Sequence, residues 1–207
     1  MVFKTFRPFF PTIEKTASFY APYVKPIYGE VLYKSKILPP LTTVNGKVIH
    51  RDWDYLQYFI NEARRLGLKV TVSTAMFPSG HPATNEGLVY EESRWDGKTC
   101  LEYTPDGKML DIREDKKKVG AFLNPVRKDV RKFALSIVRE IVKNYDVDAY
   151  ALDYCRYPGD DSDFSADSHK AFEHYLGKKV RNFPDNIFTW NADGTKNPGV
   201  DYKEWWA

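Results

Sequence analysis

The 207-residue sequence has only two cysteines, Cys100 and Cys155, and they lack the spacing of a zinc site. Neither a disulfide framework nor a structural zinc can therefore be the basis of the fold. Long apolar runs are missing as well. No stretch reaches the roughly 18 residues that a membrane-crossing helix needs. Strong charge of one sign is absent too: 31 Lys and Arg face 28 Asp and Glu, a net charge of +3. No basic stripe stands out, which argues against a nucleic-acid partner. The short run Lys116-Lys117-Lys118 adjoins Glu114 and Asp115 and reads as a solvated turn. There is no Gly-x-Ser-x-Gly elbow and no phosphate-binding glycine loop, and no cofactor is expected. Residues 1–11 do not follow the charged, apolar and small-residue order of a signal peptide.

What is present is a 43% hydrophobic share, enough for a real core, and an abundance of aromatics. Phe, Trp and Tyr make up 15% of the chain, a supply that suits a core and equally a cleft that stacks flat, amphipathic ligands. The length predicts a single domain over 1–207.

Residues 1–24 are ambiguous, aromatic and broken by Pro8, Pro11 and Pro22. Order begins at Asp52, which is expected to cap a helix carrying Trp53, Leu56, Phe59, Ile60, Ala63 and Leu66 on its apolar face, ended by Gly67. A strand follows over 68–77, with Val70, Val72 and Met76 on one face and Thr71, Ser73 and Ala75 on the other. Residues 78–119 read as an insertion. The turn signals Asp96-Gly97 and Asp106-Gly107 predict an antiparallel meander over 88–112. Asn124-Pro125 is expected to open a long helix striped by Val126, Val130, Phe133, Ala134, Ile137, Val138, Ile141 and Val142. A second strand then places Ala149, Ala151 and Asp153 on one face, with Tyr150 and Leu152 opposite. A helix from Ser165 to about Lys179 follows, with Phe172, Tyr175 and Leu176 inward. The apolar end, Trp205-Trp206-Ala207, needs something to pack on.

Helix and strand in alternation imply βα units on a parallel sheet. Strands with one small or polar face and one large apolar face fit a barrel, whose small side meets a crowded axis. A complete (β/α)8 barrel takes about 250 residues. With two clear strands and a third expected near 23–33, the fold class predicted is α/β, a partial TIM-type barrel. Its open sheet edge would allow oligomers.

The most specific segment is Asp148-Ala-Tyr-Ala-Leu-Asp153-Tyr-Cys-Arg156-Tyr-Pro158. Alternation points Asp153 inward at the carboxyl end of a parallel strand, where barrel enzymes hold catalytic groups. Arg156 is close enough to pair with it or to contact a substrate. A structural Asp–Arg pair is the alternative. Cys155 reads as a small buried filler.

The sequence resembles the glycosyl hydrolase-like family 10 group, barrel proteins of bacterial cell-envelope and polysaccharide metabolism. The matching pieces are Tyr28-Gly-Glu-Val-Leu-Tyr-Lys-Ser35, Asp52-Trp-Asp-Tyr-Leu56, Glu62-Ala-Arg-Arg-Leu-Gly-Leu-Lys-Val70, Phe122-Leu-Asn-Pro125 and Leu152-Asp-Tyr-Cys-Arg-Tyr-Pro158. The resemblance covers residues 24 to 207. It implies a barrel acting on glycosidic bonds, a carbohydrate substrate, and Asp153 as the leading active-site carboxylate. It also implies a periplasmic, cell-surface or secreted setting. Two departures are the odd Met1–Pro22 segment, where the family has a first strand and helix, and the family's later barrel half beyond Ala207. Strands two to four of a barrel are therefore expected here.

Glycoside hydrolysis normally uses two carboxyl groups. Glu30, Glu86, Asp160, Asp161 and Asp163 are candidates for the second. Lys25, Tyr28, Glu30 and Tyr33, after the expected second strand, and His81, after the strand ending at Phe77, are expected to meet substrate. Trp95, Tyr154 and Trp190 are candidate sugar platforms, with core packing as the alternative. The acidic loop Asp160–Asp163 with Asp167 could hold Ca²⁺ but lacks an EF-hand glycine. A solvated loop is the other reading, and no metal is assigned. The hydrolase is expected to be inactive as this isolated chain, which lacks the later strands that would carry a second carboxylate; a non-catalytic sugar-binding protein and an inactive truncated product are the alternatives.

Overall fold

A computed structural model describes the strand at 16–18 and residues 24–44, 47–48 and 52–207. The remainder of the 1–22 segment lies outside the described residues. In chain order the elements begin with β1 (Thr16–Ser18), the short pair β2 (Thr43–Val44) and β3 (Lys47–Val48), α1 (Tyr55–Arg65) and β4 (Lys69–Ala75). Next come α2 (Leu88–Glu91), a 3-10 turn at Ser93–Trp95, β5 (Leu101–Tyr103), β6 (Met109–Asp111) and α3 (Lys128–Asn144). The chain continues with β7 (Ala149–Asp153), α4 (Ala166–Leu176), β8 (Phe188–Trp190), β9 (Lys196–Pro198) and α5 (Tyr202–Trp205). The fold is mixed α/β. It divides into two compact units, Met1–Pro78 with Phe133–Cys155, and Ser79–Lys132 with Arg156–Ala207.

The first unit is built on a parallel sheet of order β1-β4-β7. Its third strand comes from residues 16–18, inside the segment the sequence left ambiguous, and not from 23–33. Proline explains the difference. Pro26 donates no ladder hydrogen bond, and residues 24–33 form turns and bends, with Val31 making only an isolated bridge to Pro40. Val70 and Val72 are fully buried. Helix α1 covers the core with Leu56, Ile60 and Ala63, all on one stripe. Its cap is Asp54, not Asp52: the Asp54 carboxylate accepts the Gln57 N–H at 2.9 Å. Trp53 therefore stands before the helix and is 46% exposed, and Leu66 is exposed rather than part of the apolar face. Gly67 follows in the left-handed conformation at φ +68°. At the amino ends of the strands, Asp148 accepts both the Val70 N–H and the Arg64 guanidinium at 2.6 Å, and Arg64 also pairs with Asp146. The Val70 N–H and Arg64 hold the Asp148 carboxyl below its ordinary range.

Helix α3 presents Val130, Ala134, Ile137 and Ile141 as its buried stripe, while Val142 is exposed. Asn124 does not cap it. Its side-chain oxygen accepts the Val126 N–H at 3.0 Å and closes a turn before the helix, and its amide is used elsewhere.

In the second unit, the meander expected over 88–112 reduces to one hairpin. β5 and β6 pair antiparallel around Asp106-Gly107. Residues 88–95 are helical turns instead. Trp95 is buried there, and Asp96-Gly97 ends them, with the Lys98 N–H bonded to the Trp95 carbonyl at 3.0 Å. Tyr103, Phe164, Phe172, Val180, Ile187 and Phe188 form an aromatic core. Trp205 stacks on Phe164 at 5.2 Å and meets Phe172 edge-on at 4.8 Å, so the apolar end of the chain has its packing partner. Ser165 caps α4, whose Phe172 faces this core, whereas Tyr175, expected inward, is exposed. A Cβ on Gly199 would overlap the backbone carbonyl of Asn186, which cannot swing aside. Gly199→Ala is expected to lower the stability of this unit by about 1–3 kcal/mol in a urea titration. An unchanged midpoint would show that the 186–199 contact yields freely.

Candidate functional site

Asp153 ends β7, at the carboxyl end of the parallel sheet. The register pairs Thr71 with Ala149, Ser73 with Ala151 and Ala75 with Asp153. Paired residues of parallel strands share a face, so these six form one small and polar surface. Val70, Val72, Thr74, Tyr150 and Leu152 form the other. Ala149 and Ala151 are exposed and Asp153 is half-buried. The Asp153 carbonyl is tied to β4 by the Met76 N–H at 2.8 Å. The next residue, Tyr154, has φ +49°, a left-handed conformation that disfavours a bulky side chain by about 1–2 kcal/mol. Its N–H donates back to the Asp153 carboxylate at 2.8 Å, fixing the carboxylate on the turn. Backbone strain of this kind gathers at functional positions. Cys155, expected as buried filler, is exposed because the chain has already left the sheet.

Lys25 lies beside the carboxyl end of β4, entirely buried. Its ammonium donates to the carbonyls of Ala75 at 2.5 Å and Pro78 at 2.8 Å, and its own carbonyl accepts the Ala75 N–H. Burial without a carboxylate lowers its pKa to about 7. Tyr28 and Glu30 are half-buried in the following turn. Tyr33 is buried, meets Tyr145 edge-on at 5.7 Å and donates to Glu140 at 3.2 Å. Burial, together with Glu140, pushes its hydroxyl far above the ordinary tyrosine value. Glu140 also accepts the Ser35 hydroxyl and the Lys36 N–H, so one α3 carboxylate holds the 33–36 loop.

A feature not expected from the sequence lies at the start of α1. Trp53, Tyr55 and Tyr58 gather with ring centres 4.5 and 4.8 Å from Trp53, and Tyr58 is 50% exposed. Trp53 and Tyr55 line a cleft of about 220 Å³ with Tyr33, Lys34 and Ser35. Helical spacing alone assigns Trp53 to the apolar face. The better signal was Asp54 with Gln57 three residues on, which starts the helix after Trp53.

In the second unit, Arg156 is exposed and its guanidinium donates to the carbonyls of Tyr157 and Pro158. His81 is half-buried in a turn closed by its N–H to the Glu86 carbonyl at 2.8 Å. Trp95 is buried, and its indole donates to Glu92 at 3.1 Å. Trp190 joins the aromatic core and donates to the Tyr103 carbonyl at 3.1 Å. The acidic loop spreads its carboxylates among separate partners. Asp160 pairs with Lys196 at 2.8 Å, Asp161 with Lys118 at 3.1 Å, and Asp167 with Arg127. Among the described residues, no group of three or more His, Cys, Asp or Glu suits a metal ion.

Asp163 is buried in a cage of donors: the Asn124 amide at 2.5 Å, the Ser165 and Ser168 hydroxyls at 2.5 and 2.6 Å, and the Leu101 N–H at 2.6 Å. Glu102, 2% exposed, shares the Lys118 ammonium with Asp161. Burial raises its pKa to about 7, against the pull of Lys118. Sequence reasoning passed over Glu102, since a lone Glu in a short strand carries no motif.

No helix of the described residues is long and apolar enough to cross a membrane. A family model described as glycosyl hydrolase-like 10 matches residues 19–198. An S-layer-related protein of Niallia circulans is 34% identical over 194 residues. That match covers 88% of this chain and 12% of the relative, so the chain spans only a small part of that protein.

Proposed function

Because the chain belongs to the glycosyl hydrolase-like 10 family, we propose that it is a carbohydrate-acting domain centred on Asp153. The observation that carries this reading is the half-buried carboxylate on the last residue of β7, followed at once by the strained Tyr154. In this reading the sheet β1-β4-β7 is an arc of a (β/α)8 barrel, and its small-residue face is the barrel interior. The chain is one such domain, with 78–119 as an insertion. Similarity to an S-layer-related protein supports a cell-surface setting.

As nucleophile or base, Asp153 attacks the anomeric carbon or takes a proton from the water that does so. A second carboxyl group protonates the leaving oxygen. Asp160, Asp161, Asp163 and Glu86 belong to the other unit. Glu30, which belongs to the same unit as Asp153, is the candidate within this chain. The Trp53–Tyr55 cleft supplies flat apolar faces beside the polar Lys34 and Ser35, a pairing suited to sugar rings.

The test is release of reducing ends from a polysaccharide panel at pH 5 to 8. In a chain extended through a complete barrel, Asp153→Asn is expected to lower kcat by about 10³-fold or more with an unchanged melting temperature, while the 207-residue chain alone is expected to show no turnover. Loss of affinity alone, with no turnover by either form, favours a sugar-binding module. Equal turnover by both forms removes Asp153 from the chemistry.

A further inference from the structure

The second unit contains an open cavity of about 590 Å³ between the first turns of α3 and the outer face of α4. That volume is within the range of ligand sites, roughly 300–1,000 Å³. Two pairs of residues, each at i,i+4 spacing, line it: Lys128 with Lys132 from α3, and Lys170 with His174 from α4. Helical residues four apart share a face, so each helix turns a basic pair into the same space. Arg127, also on the wall, is already matched, touching both Asp129 and Asp167. Those two carboxylates are the acidic groups of the wall, and Asp129 also takes Lys98 at 2.9 Å. The acids are thus consumed by Arg127 and Lys98, and Lys128, Lys132 and Lys170 are left as uncompensated positive charge.

Lys128 and Lys132 are like charges at i,i+4, a spacing that destabilises a helix. A local rule broken without a structural gain points to a ligand. We propose that this groove binds an acidic glycan, a polysaccharide whose sugars carry carboxylate or phosphate groups. The sign of the charge selects an anion. The choice of a sugar polymer rests on the reading that this family member acts on carbohydrate. The wall holds Val126 and Ala171 as its apolar residues and, among rings, only the His174 imidazole, with no Phe, Tyr or Trp, so it offers successive bases little to stack on. That favours a glycan over single-stranded nucleic acid.

The test is calorimetric titration of the intact chain with polygalacturonate, with neutral dextran and with a single-stranded DNA oligonucleotide, at 20 and 200 mM salt. Polygalacturonate is expected to bind at least tenfold more tightly than dextran at low salt and to weaken strongly at high salt. The double variant Lys128→Gln/Lys170→Gln is expected to lose about tenfold in affinity, while Lys203→Gln on α5 changes it less than twofold. Circular dichroism of each variant confirms an unchanged fold, as these lysines are exposed. Polygalacturonate binding no better than dextran overturns the proposal. So does a double variant that binds as the native chain does, or DNA binding that depends on the same lysines. Asp153→Asn provides the separation: lysine-dependent binding that survives beside an inert Asp153 sinks the catalytic reading and leaves the groove standing.

Discussion

Replacing Asp163 by alanine is expected to lower the stability of the second unit by about 3 kcal/mol or more. The carboxylate accepts from Asn124, Ser165, Ser168 and the Leu101 N–H, all within 2.6 Å. Removing it leaves buried donors without an acceptor, which is more damaging than losing one exposed pair. The cage joins β5, the turn before α3 and the start of α4. Its loss should therefore be felt through the whole unit. Trp190 and Trp205 lie in the aromatic core of that unit, and their fluorescence reports its unfolding in urea. Asp163→Asn keeps an acceptor but sets an NH₂ among donors, and is expected to fall between the native chain and Asp163→Ala. A loss below about 1 kcal/mol for the alanine variant would show that the cage does not hold these segments.

The second large effect is a pH dependence traced to Lys25. Burial lowers its folded-state pKa to about 7, from 10.5 for an exposed lysine. Between those values the unfolded chain binds a proton that the folded chain does not. Stability of the first unit must therefore rise with pH across that window. The contribution is complete above about pH 10 and is lost as pH falls through 7. One proton gives a slope near 1.4 kcal/mol per pH unit, so stability is expected to rise by about 2–3 kcal/mol between pH 7.5 and 9.5. Urea titrations followed by circular dichroism measure it. Lys25→Met is expected to flatten the slope. It also leaves the Ala75 and Pro78 carbonyls without their donor, which shifts the level of stability but not its dependence on pH. An unchanged slope in Lys25→Met would assign the titration to another group. Glu102 has the opposite sign, since its pKa is raised to about 7. The folded chain takes up that proton first, so its contribution is present below about 4.5 and fades as pH rises to 7.

Much of the framework was legible in the sequence because it rests on local rules. Period-3.6 apolar spacing marked α1, α3 and α4, and period-2 alternation marked β4 and β7. The same alternation put Asp153 on the small-residue face with Ala149 and Ala151, as the parallel register has it. Where two local signals competed, the sequence misled. Asp52 and Asp54 both suit a cap, and only the Gln57 N–H decides between them. Asp96-Gly97 and Asp106-Gly107 look alike, yet the first ends a helical turn because Trp95 is drawn into the core.

The sequence by itself determined the periodic elements, the parallel βα order and the position of Asp153 at a strand end. Each follows from neighbours within a few residues. Only the tertiary structure decided which distant groups meet. Lys25 reaches carbonyls about 50 residues away, Asp163 gathers donors from Leu101 to Ser168, and α3 and α4 turn their basic pairs into one groove. Such meetings depend on burial, which removes water as the competing partner and so sets both the strength of a hydrogen bond and the charge state of the group that makes it.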